Sequence, residues 1–501
     1  MTDLLPLSSA RPSVRSLGRT AGAIVAALAA LSPPAAASPL AELLGAAASP
    51  HPFTAAISAS GPEAAYFNPA LLADLPAGAA FGLVLRADDL DITLAPRPSA
   101  VDVPASLYDL RELLPDGTSR RLVERPLPTA DLRSPRADTH EGGLHATVEL
   151  GLVQPIVPGR LAFALHALIP ADALQSQAPF FADEREQYFS NRLHFAFSGD
   201  RLTSQSFTFA LGGRLLPALA LGAGVTLGTR STADSAVYIG DSAFQETAVV
   251  QSAVRVEPLF TPHFALTVTP LPPLTLALTA HLPSTNPTSG QSDVQFWTYP
   301  YPEGEDSVVQ RFRFSYAALP LRLGAGARWA DSAGPLRWSA SATARFTRWS
   351  AWEDRYGARP ATPFSDTVAL ALGGDLALAD HSASLDAAWT PSPVPDQTGR
   401  DNHVDNDTLG IALGYAWRHT LGDATLSLGL TLSLWRHLPR AVTKSATAAD
   451  PVRDELPTAI NIKTDALAPE SEGLQTNNPG YPGFASEGWR FSAGLRVSLN
   501  L

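Results

Sequence analysis

The sequence predicts an all-β protein: a transmembrane antiparallel β-barrel of about fourteen strands with a small helical N-terminal hatch in its lumen. Three observations favour this fold class. Apolar and polar residues alternate with a period of two along most of the chain. Tight turns alternate with long polar connections, and charged residues fall on the polar faces of the alternating segments.

Composition narrows the possible functions. The 501 residues carry a net charge of −12 without a basic block, which argues against nucleic acid as a partner. The chain has no cysteine, so disulfides, thiolate zinc sites and cysteine nucleophiles are excluded. Beyond the N-terminus, no apolar run reaches the ~20 residues of a membrane-spanning helix. We expect no cofactor and no metal site.

Residues 1–37 have the pattern of a cleavable signal peptide. An arginine-containing stretch precedes a short apolar core at 21–31 and small residues at 35–37, so cleavage is expected before Ser38. The alternative is a membrane anchor. The short apolar run and Pro33-Pro34, which would interrupt a helix, argue against it.

Residues 78–501 are predicted to form the barrel. In the last segment, Trp489 to Leu501, apolar residues hold the odd positions, and polar or small residues hold the even ones. The same alternation predicts strands at 78–94, 142–155, 159–169, 204–216, 219–230, 262–270, 273–283, 308–329, 335–349, 366–378, 382–390, 406–418, 422–436 and 488–500. The first strand changes face at Asp88-Asp89, which suggests a bulge. A further strand-like segment lies at 246–257.

The connections between these strands alternate in length. Tight turns are expected at 156–158, 217–218, 271–272, 330–334, 379–381 and 419–421. Long polar links are expected at 95–141, 170–203, 231–261, 284–307, 350–365, 391–405 and 437–487. Short periplasmic turns and long extracellular loops are typical of an outer-membrane barrel. This places the chain in the cell outer membrane, in contact with lipid and lipopolysaccharide, after insertion by the barrel-assembly machinery.

Charges and tryptophans test this interpretation. The strand charges, from Arg86 to Arg496, fall on polar faces, although a sandwich with a dry interior would sort them similarly. The tryptophans are predicted to form two girdles at the lipid–water interfaces. One contains Trp329, Trp338 and Trp417, and the other Trp349, Trp352, Trp389, Trp435 and Trp489. The alternative is that they are buried core residues.

Residues 38–77 do not alternate, and we interpret them as the hatch. Short helical pieces are expected at 39–47 and 69–74, with Pro76 ending the second. Asn68 is a favourable N-cap because its side chain can accept an amide hydrogen from the first turn. Pro69 suits the first helical position, where no amide hydrogen is needed.

The segment 65–71, Ala-Tyr-Phe-Asn-Pro-Ala-Leu, resembles the Asn-Pro-Ala hatch signature of the FadL/TodX family. These are outer-membrane transporters of long-chain fatty acids and aromatic hydrocarbons. Further similar segments follow in the family's order at 159–163, 219–227, 349–352, 364–367, 389–396 and 409–415. Two features depart from the family: the chain ends in Leu501 instead of an aromatic residue, and the hatch before Asn68 is short.

The resemblance implies passive diffusion of hydrophobic small molecules through a plugged barrel, with Asn68, Pro69 and Ala70 as the hatch motif. It also implies lateral exit through a break in the third strand. Residues 159–169 contain no Gly or Pro after Gly159 to mark such a break.

Candidate ligand-binding residues lie in two loops and on two strands. A short helix over 104–114 would present Leu107, Leu110 and Leu114 on one face, and Phe180-Phe181 forms a second apolar cluster. Packing of the loops on each other is the alternative.

Arg322 and Arg345, near mid-barrel or above, are candidates for a ligand carboxylate. The alternative is structural pairing with Glu149, Asp375, Asp386 or the hatch acids Glu42, Glu63 and Asp74.

We expect a transporter and not an enzyme, because no nucleophile elbow, metalloprotease helix or phosphate loop is present. Two alternatives remain on the same scaffold. One is a general porin or receptor for polar solutes, and the other is a structural or adhesive barrel without transport.

Overall fold

The computed structural model describes residues 39–95, 111–121, 144–171, 194–195, 205–239, 249–297, 305–353, 357, 359–360, 362–396, 403–444, 454–457, 460–461, 466–467, 474–476 and 482–501. The predicted signal peptide lies outside these residues. Among them, no helix is long and apolar enough to cross a membrane.

The structure is a closed antiparallel barrel of fourteen strands inside a sixteen-stranded sheet, which confirms the predicted fold class. The strands are β1 (Gly78–Leu94), β2 (Leu144–Val157), β3 (Leu161–Pro170), β4 (Ser206–Leu216), β5 (Leu219–Ile239), β6 (Val249–Leu271), β7 (Leu274–His281), β8 (Ser284–Trp297), β9 (Glu305–Leu319), β10 (Arg322–Ala333), β11 (Leu336–Thr347), β12 (Thr367–Leu378), β13 (His381–Thr390), β14 (Thr408–Leu421), β15 (Ala424–Thr443) and β16 (Gly483–Asn500). Closure comes from β1 pairing with β16, with Gly78 opposite Asn500.

All the barrel strands pair with their neighbours in sequence, except that β7 pairs directly with β10. The predicted alternation of connections is present: two- or three-residue turns join β2 to β3, β4 to β5, β6 to β7, β10 to β11, β12 to β13 and β14 to β15. Gly159, Gly334 and Gly422 occupy such turns with positive φ angles, which glycine adopts without steric cost. We call this rim the turn end and the opposite rim the loop end.

Strands β8 and β9 form a hairpin outside the closed ring. The sequence predicted a polar link at 284–307 and one strand over 308–329, and both expectations are wrong. Pro320 has no N–H to donate to a ladder, so β9 ends at Leu319 and β10 begins at Arg322. The hairpin joins the sheet through β8, which runs parallel to β5 with Thr288 opposite Ser231. Within the strand-like segment at 246–257, residues 249–257 are the upper part of β6, and residues 246–248 lie outside the described residues.

Shorter pairs lie in the connections at the loop end. They are Arg111–Leu113 with Ser119–Arg121, His194–Phe195 with His403–Val404, Asp454–Pro457 with Leu474–Thr476, and Ile460–Asn461 with Ala466–Leu467.

The outward face of the barrel is an exposed belt of large apolar side chains. It includes Phe81, Leu85, Leu150, Leu152, Phe209, Leu211, Leu221, Leu276, Leu278, Leu370, Leu372, Leu385, Ile411, Leu413, Leu430 and Leu495. Inward positions carry small and polar residues that are mostly buried. Such a surface is stable against lipid and unstable in water, so the belt is the part that spans the bilayer.

The predicted bulge at Asp88-Asp89 is absent. Strand β1 keeps its register against β16 through Leu94, and Asp88 stays inward. The apolar residues that suggested a change of face also point inward: Ile92 packs with Val404, Val442 and Phe484 near the loop end. An inward residue above the membrane is apolar here because loops cover it.

The tryptophans confirm one girdle and two of the five members of the other. Trp329, Trp338 and Trp417 hold outward positions at the turn end, and Trp389 and Trp489 do so near the loop end. The prediction is wrong for the remaining three. Trp435 points into the lumen against Phe53, with ring centroids 4.5 Å apart, because it has the parity of the inward residues of β15. Trp352 stacks on Phe364, and Trp349 lines a cavity in the lumen.

The hatch fills the bore with short helices, as predicted. They are α1 (Pro39–Leu44), α2 (Ala55–Ser58), α3 (Ala64–Phe67) and a 3-10 helix at Pro69–Asp74. Helix α1 ends earlier than expected because Gly45 adopts φ +61°, and the sequence did not predict α2 or α3. Alanines of the hatch pack on alanines of the wall, such as Ala64 and Ala65 with Ala162 and Ala210.

We predict that a charge on the belt destabilises the barrel according to its depth. Leu372 lies midway along the outward face of β12, and Leu378 lies at its turn end. Leu372→Arg should cost about 2–4 kcal/mol of unfolding free energy, and Leu378→Arg about 0–1 kcal/mol. Urea unfolding in lipid vesicles measures both. Equal costs at the two depths would contradict a lipid-facing belt.

Candidate functional site

Asn68 ties the hatch to itself and to the wall. Its side-chain oxygen accepts the Ala70 N–H at 3.1 Å, as its capping preference predicts. Its amide nitrogen donates to the Ala56 carbonyl at 2.7 Å and to Thr267 Oγ1 of β6 at 3.3 Å. Asn68 is fully buried, so one side chain joins α2, the 3-10 helix and the barrel.

The next two residues of the motif rest on glycines of the wall. Gly212 of β4 and Gly222 of β5 face each other across the ladder. A Cβ on Gly212 would overlap the Pro69 carbonyl oxygen, and a Cβ on Gly222 would overlap the Ala70 nitrogen. The hatch backbone therefore lies directly on the barrel backbone at Gly212 and Gly222. We call this contact the glycine seat.

On another part of the wall, Asp386 of β13 holds the start of α2. Its carboxylate accepts N–H groups from Phe53 at 3.1 Å and Thr54 at 3.3 Å, as well as the Thr54 hydroxyl at 3.3 Å. Thr54 is the N-cap of α2 but makes no capping bond of its own. A wall carboxylate replaces the missing cap, and its charge suits a helix N-terminus.

His51 bridges two wall carboxylates. Its Nδ1 lies 2.9 Å from Asp386 and its Nε2 lies 3.3 Å from Asp375. Burial alone would lower the pKa of His51, but the hydrogen bonds and charges of Asp375 and Asp386 raise it to about 9. His51 is therefore a cation at neutral pH, and its ion pairs with Asp375 and Asp386 hold the hatch against β12 and β13. No local sequence pattern marks His51 as a functional residue, because its partners are more than 300 positions away.

The two candidate arginines meet one hatch carboxylate. Arg345 contacts Glu42 of α1 at 2.8 Å, and Arg322 forms an ion pair with the other oxygen of the same carboxylate. Tyr66 donates to Glu42 at 2.7 Å and accepts from Arg322 at 3.2 Å. Burial would raise the pKa of Glu42, but Arg322 and then Arg345 hold it at about 2. In this structure both arginines are therefore paired with a hatch acid, which is the structural alternative to binding a ligand carboxylate.

Two further ion pairs follow the same arrangement of hatch acid and wall arginine. Glu63 contacts Arg496 of β16 at 2.9 Å, and Asp74 pairs with Arg214 of β4. Each hatch acid named in the sequence analysis therefore has a basic partner on the wall.

Among the described residues, two cavities lie on opposite sides of the hatch. The outer cavity, of about 250 Å³, opens toward the loop end and is lined by Leu43, Leu44, Phe53, Phe67, Trp435 and Arg345 among others. The inner cavity, of about 330 Å³, lies toward the turn end and is lined by Pro50, His51, Ser58, Leu71, Arg214 and Arg328 among others. Residues 50–58 of the hatch lie between them.

Among the described residues, no candidate ligand-binding residue from the loops lies at this site. Leu107, Leu110, Phe180 and Phe181 lie outside them. The predicted helix over 104–114 is wrong at its end: Arg111–Leu113 is a strand, and Leu114 donates its N–H to the Thr118 carbonyl at 2.8 Å in a turn. The Asp-Gly pair at 116–117 favours that turn.

We predict that a methyl group at the glycine seat loosens the hatch. Gly222→Ala should cost about 1–3 kcal/mol, because the Cβ displaces the hatch backbone at Ala70. Gly429→Ala is the matched control: it is also an inward barrel glycine, but a Cβ there has no neighbour nearer than 3.7 Å. Hydrogen exchange of the hatch should rise in Gly222→Ala alone. A similar rise in both variants would contradict the seat.

We also predict that the stabilising contact of His51 with Asp375 and Asp386 depends on pH. The folded pKa of His51 is raised from 6.5 to about 9, so its contribution is fully present below pH 6.5 and is lost as the pH rises through 9. His51→Gln retains hydrogen bonding without the charge. Between these pH values, the wild type should lose up to roughly 3 kcal/mol of unfolding free energy relative to the variant. If the unfolding free energies of the two proteins changed in parallel with pH, this role of His51 would be refuted.

The sequence matches no protein-family model and no curated protein. A Pseudomonas aeruginosa FadL homologue is 17% identical with a TM-score of 0.49, and covers 93% of this chain and 98% of its own. The CymD monoaromatic hydrocarbon channel is 10% identical with a TM-score of 0.44, and covers 93% and 98%. The P. putida toluene transporter TodX is 10% identical with a TM-score of 0.40, and covers 92% and 99%.

Proposed function

We propose that this barrel is a passive outer-membrane channel for hydrophobic small molecules, such as long-chain fatty acids or related hydrocarbons. The observation that carries the proposal is the outer cavity, which is lined by apolar side chains together with charged ones, closed below by the hatch and open toward the loop end. A ligand would enter from that end and bind in the cavity above the hatch. The chain would act as a transporter and not as an enzyme.

The lining of the outer cavity supports an apolar cargo. The hatch contributes two leucines of α1, Phe53 before α2 and Phe67 of α3 to this lining, and the wall contributes Trp435 and Leu319. Apolar cavities of roughly 150 Å³ already bind benzene. The 250 Å³ here therefore accommodate a small hydrocarbon or part of an acyl chain, with the remainder extending toward the loops.

Arg345 supports an acidic head group on some cargo. Arg322 is buried with 3% of its side chain exposed, whereas Arg345 is 44% exposed to the cavity. A ligand carboxylate reaching Arg345 would replace one ionic partner, Glu42, by another of the same charge. The exchange would leave Glu42 paired with Arg322, so no charge is stranded in the lumen.

The remaining expectations belong to the same proposal. Residues 1–37 would be removed as a signal peptide, with residues 38–77 as the hatch and 78–501 as the barrel. The apolar belt would contact outer-membrane lipid and lipopolysaccharide. Insertion would require the barrel-assembly machinery.

Uptake by liposomes tests the proposal. Vesicles containing the purified protein should take up a labelled fatty acid and a labelled monoaromatic hydrocarbon faster than protein-free vesicles, and should exclude a labelled sugar. Rapid sugar uptake would instead identify a general pore for polar solutes. Failure of all three to enter would indicate a structural barrel.

We predict that Arg345→Ala separates acidic cargo from neutral cargo. Losing one charged hydrogen bond should slow fatty-acid uptake by about tenfold, while uptake of a neutral hydrocarbon stays unchanged. Arg337→Ala is the control, since Arg337 is also inward-facing but lies at the turn end of β11, outside the lining of the outer cavity. Unchanged fatty-acid uptake in Arg345→Ala would remove Arg345 from the site.

A further inference from the structure

The two cavities share one stretch of wall. Strands β7, β10, β12 and β13 each line both of them. On β10 the outer cavity reaches Gly324 and the inner one begins at Arg328, on β12 the corresponding residues are Ala371 and Asp375, and on β13 they are Ala388 and Ser384. One inward residue therefore separates the cavities on each of these three strands: Gly326, Gly373 and Asp386.

Hatch side chains fill this gap. A Cβ on Gly326 would lie 3.0 Å from Ile57 Cβ, and a Cβ on Gly373 would lie 2.8 Å from Thr54 Oγ1. Two of the three wall residues have no side chain, so the gap is filled by Thr54 and Ile57 of the hatch together with Asp386 and the Ser341 hydroxyl of β11, which would lie 2.8 Å from a Cβ on Gly373. We call this contact the seam.

We propose that cargo crosses the hatch at the seam, by displacement of Thr54 and Ile57 from the wall of β10–β13, and passes directly from the outer to the inner cavity. The inference rests on the proposed transport function and specifies its route. Neither the hatch as a whole nor a barrel strand has to leave its place.

The other contacts of the hatch are harder to open. At the glycine seat, the hatch backbone lies against the backbone of β4 and β5, and the buried Asn68 side chain spans the contact. Opening it would expose polar groups that have partners only in the closed state. At the seam, a one-turn helix presents the side chains of Thr54 and Ile57 to glycine. These side chains can rotate while the N–H groups of Phe53 and Thr54 stay bonded to Asp386, and the Thr54 hydroxyl keeps Ser58 as a partner at 2.9 Å.

A lateral exit through β3 would break main-chain pairing. Strand β3 pairs with β4 without a register shift, from Leu161 opposite Gly213 to Leu168 opposite Ser206. On its other side it pairs with β2 from Ala162 opposite Pro155 to Pro170 opposite Thr147, also without a shift. Over these described residues, β3 contains no gap of the kind that the family resemblance implied.

The charges at the seam suit an apolar cargo. Asp386 is buried, and an isolated carboxylate beside a hydrocarbon would be costly. His51 lies 2.9 Å from Asp386 and belongs to the hatch segment before Thr54. The imidazolium can therefore remain on Asp386 and neutralise it while Thr54 and Ile57 move.

A cysteine lock tests the route. Ile57→Cys with Gly326→Cys would tether the hatch across the seam. Ala48→Cys with Gly82→Cys is the matched control, because a Cβ on Gly82 also lies 3.0 Å from its hatch neighbour, on the wall of β1. Both spacings are shorter than the ~3.8 Å between the Cβ atoms of a disulfide by the same amount, so each lock requires the same small outward shift of the hatch. The chain contains no cysteine of its own, so no other disulfide can form within it.

Uptake of a labelled monoaromatic hydrocarbon is measured in vesicles before and after oxidation, with disulfide formation scored by loss of thiol alkylation. The oxidised seam lock should lose uptake and regain it on reduction, and the oxidised β1 lock should retain it. Retained uptake in the oxidised seam lock would overturn the route. Loss in both locks would also overturn it, since the whole hatch would then have to move.

Failure of the proposed function looks different. In that case the reduced variants and the wild type would not take up the hydrocarbon at all. Retention of heat-modifiable migration in detergent gels would show that each variant is a folded barrel.

Discussion

The hydrogen bonds that the wall provides to the hatch backbone are the constraint on which the structure depends. The hatch helices are four to six residues long, so few of their amides and carbonyls find partners within them. The wall supplies the rest: Asp386 accepts two hatch N–H groups, Thr431 donates to the Ser49 carbonyl at 2.9 Å, and His263 contacts the Ala65 carbonyl at 2.7 Å. A segment with so little structure of its own is held in one place because buried polar groups require partners.

Charge reinforces this placement and sets its orientation. Hatch acids meet wall arginines at Glu42, Glu63 and Asp74, while the hatch cation His51 meets wall acids. A rotated hatch would bring like charges together or leave a buried charge unpaired, and both are costly in a poorly hydrated bore. The pairs therefore select one orientation of the hatch.

The attachment is nevertheless uneven around the bore, and this matters for transport. Near β4 and β5 the hatch backbone lies directly on the wall backbone, whereas near β10 and β12 hatch side chains lie over glycines and the Asp386 side chain of β13 holds the hatch N–H groups. Side-chain rotation is fast and leaves the ladder intact, whereas separating two backbones exposes unsatisfied polar groups. A channel can thus remain closed to water-soluble molecules and still have one wall along which small displacements connect its two cavities.

Local pattern alone was sufficient for the barrel. Alternation with a period of two is a property of neighbouring residues, so strand positions, inward charges and the tight turns followed from the chain without distant contacts. The Asn68 cap followed for the same reason, since its acceptor and donor are two residues apart. Tertiary structure decided the rest. That Glu42 takes both Arg322 and Arg345, that Trp435 faces Phe53, and that β8 and β9 leave the ring all depend on residues far apart in the chain. Such contacts arise when the barrel closes around the hatch, and no local periodicity encodes them.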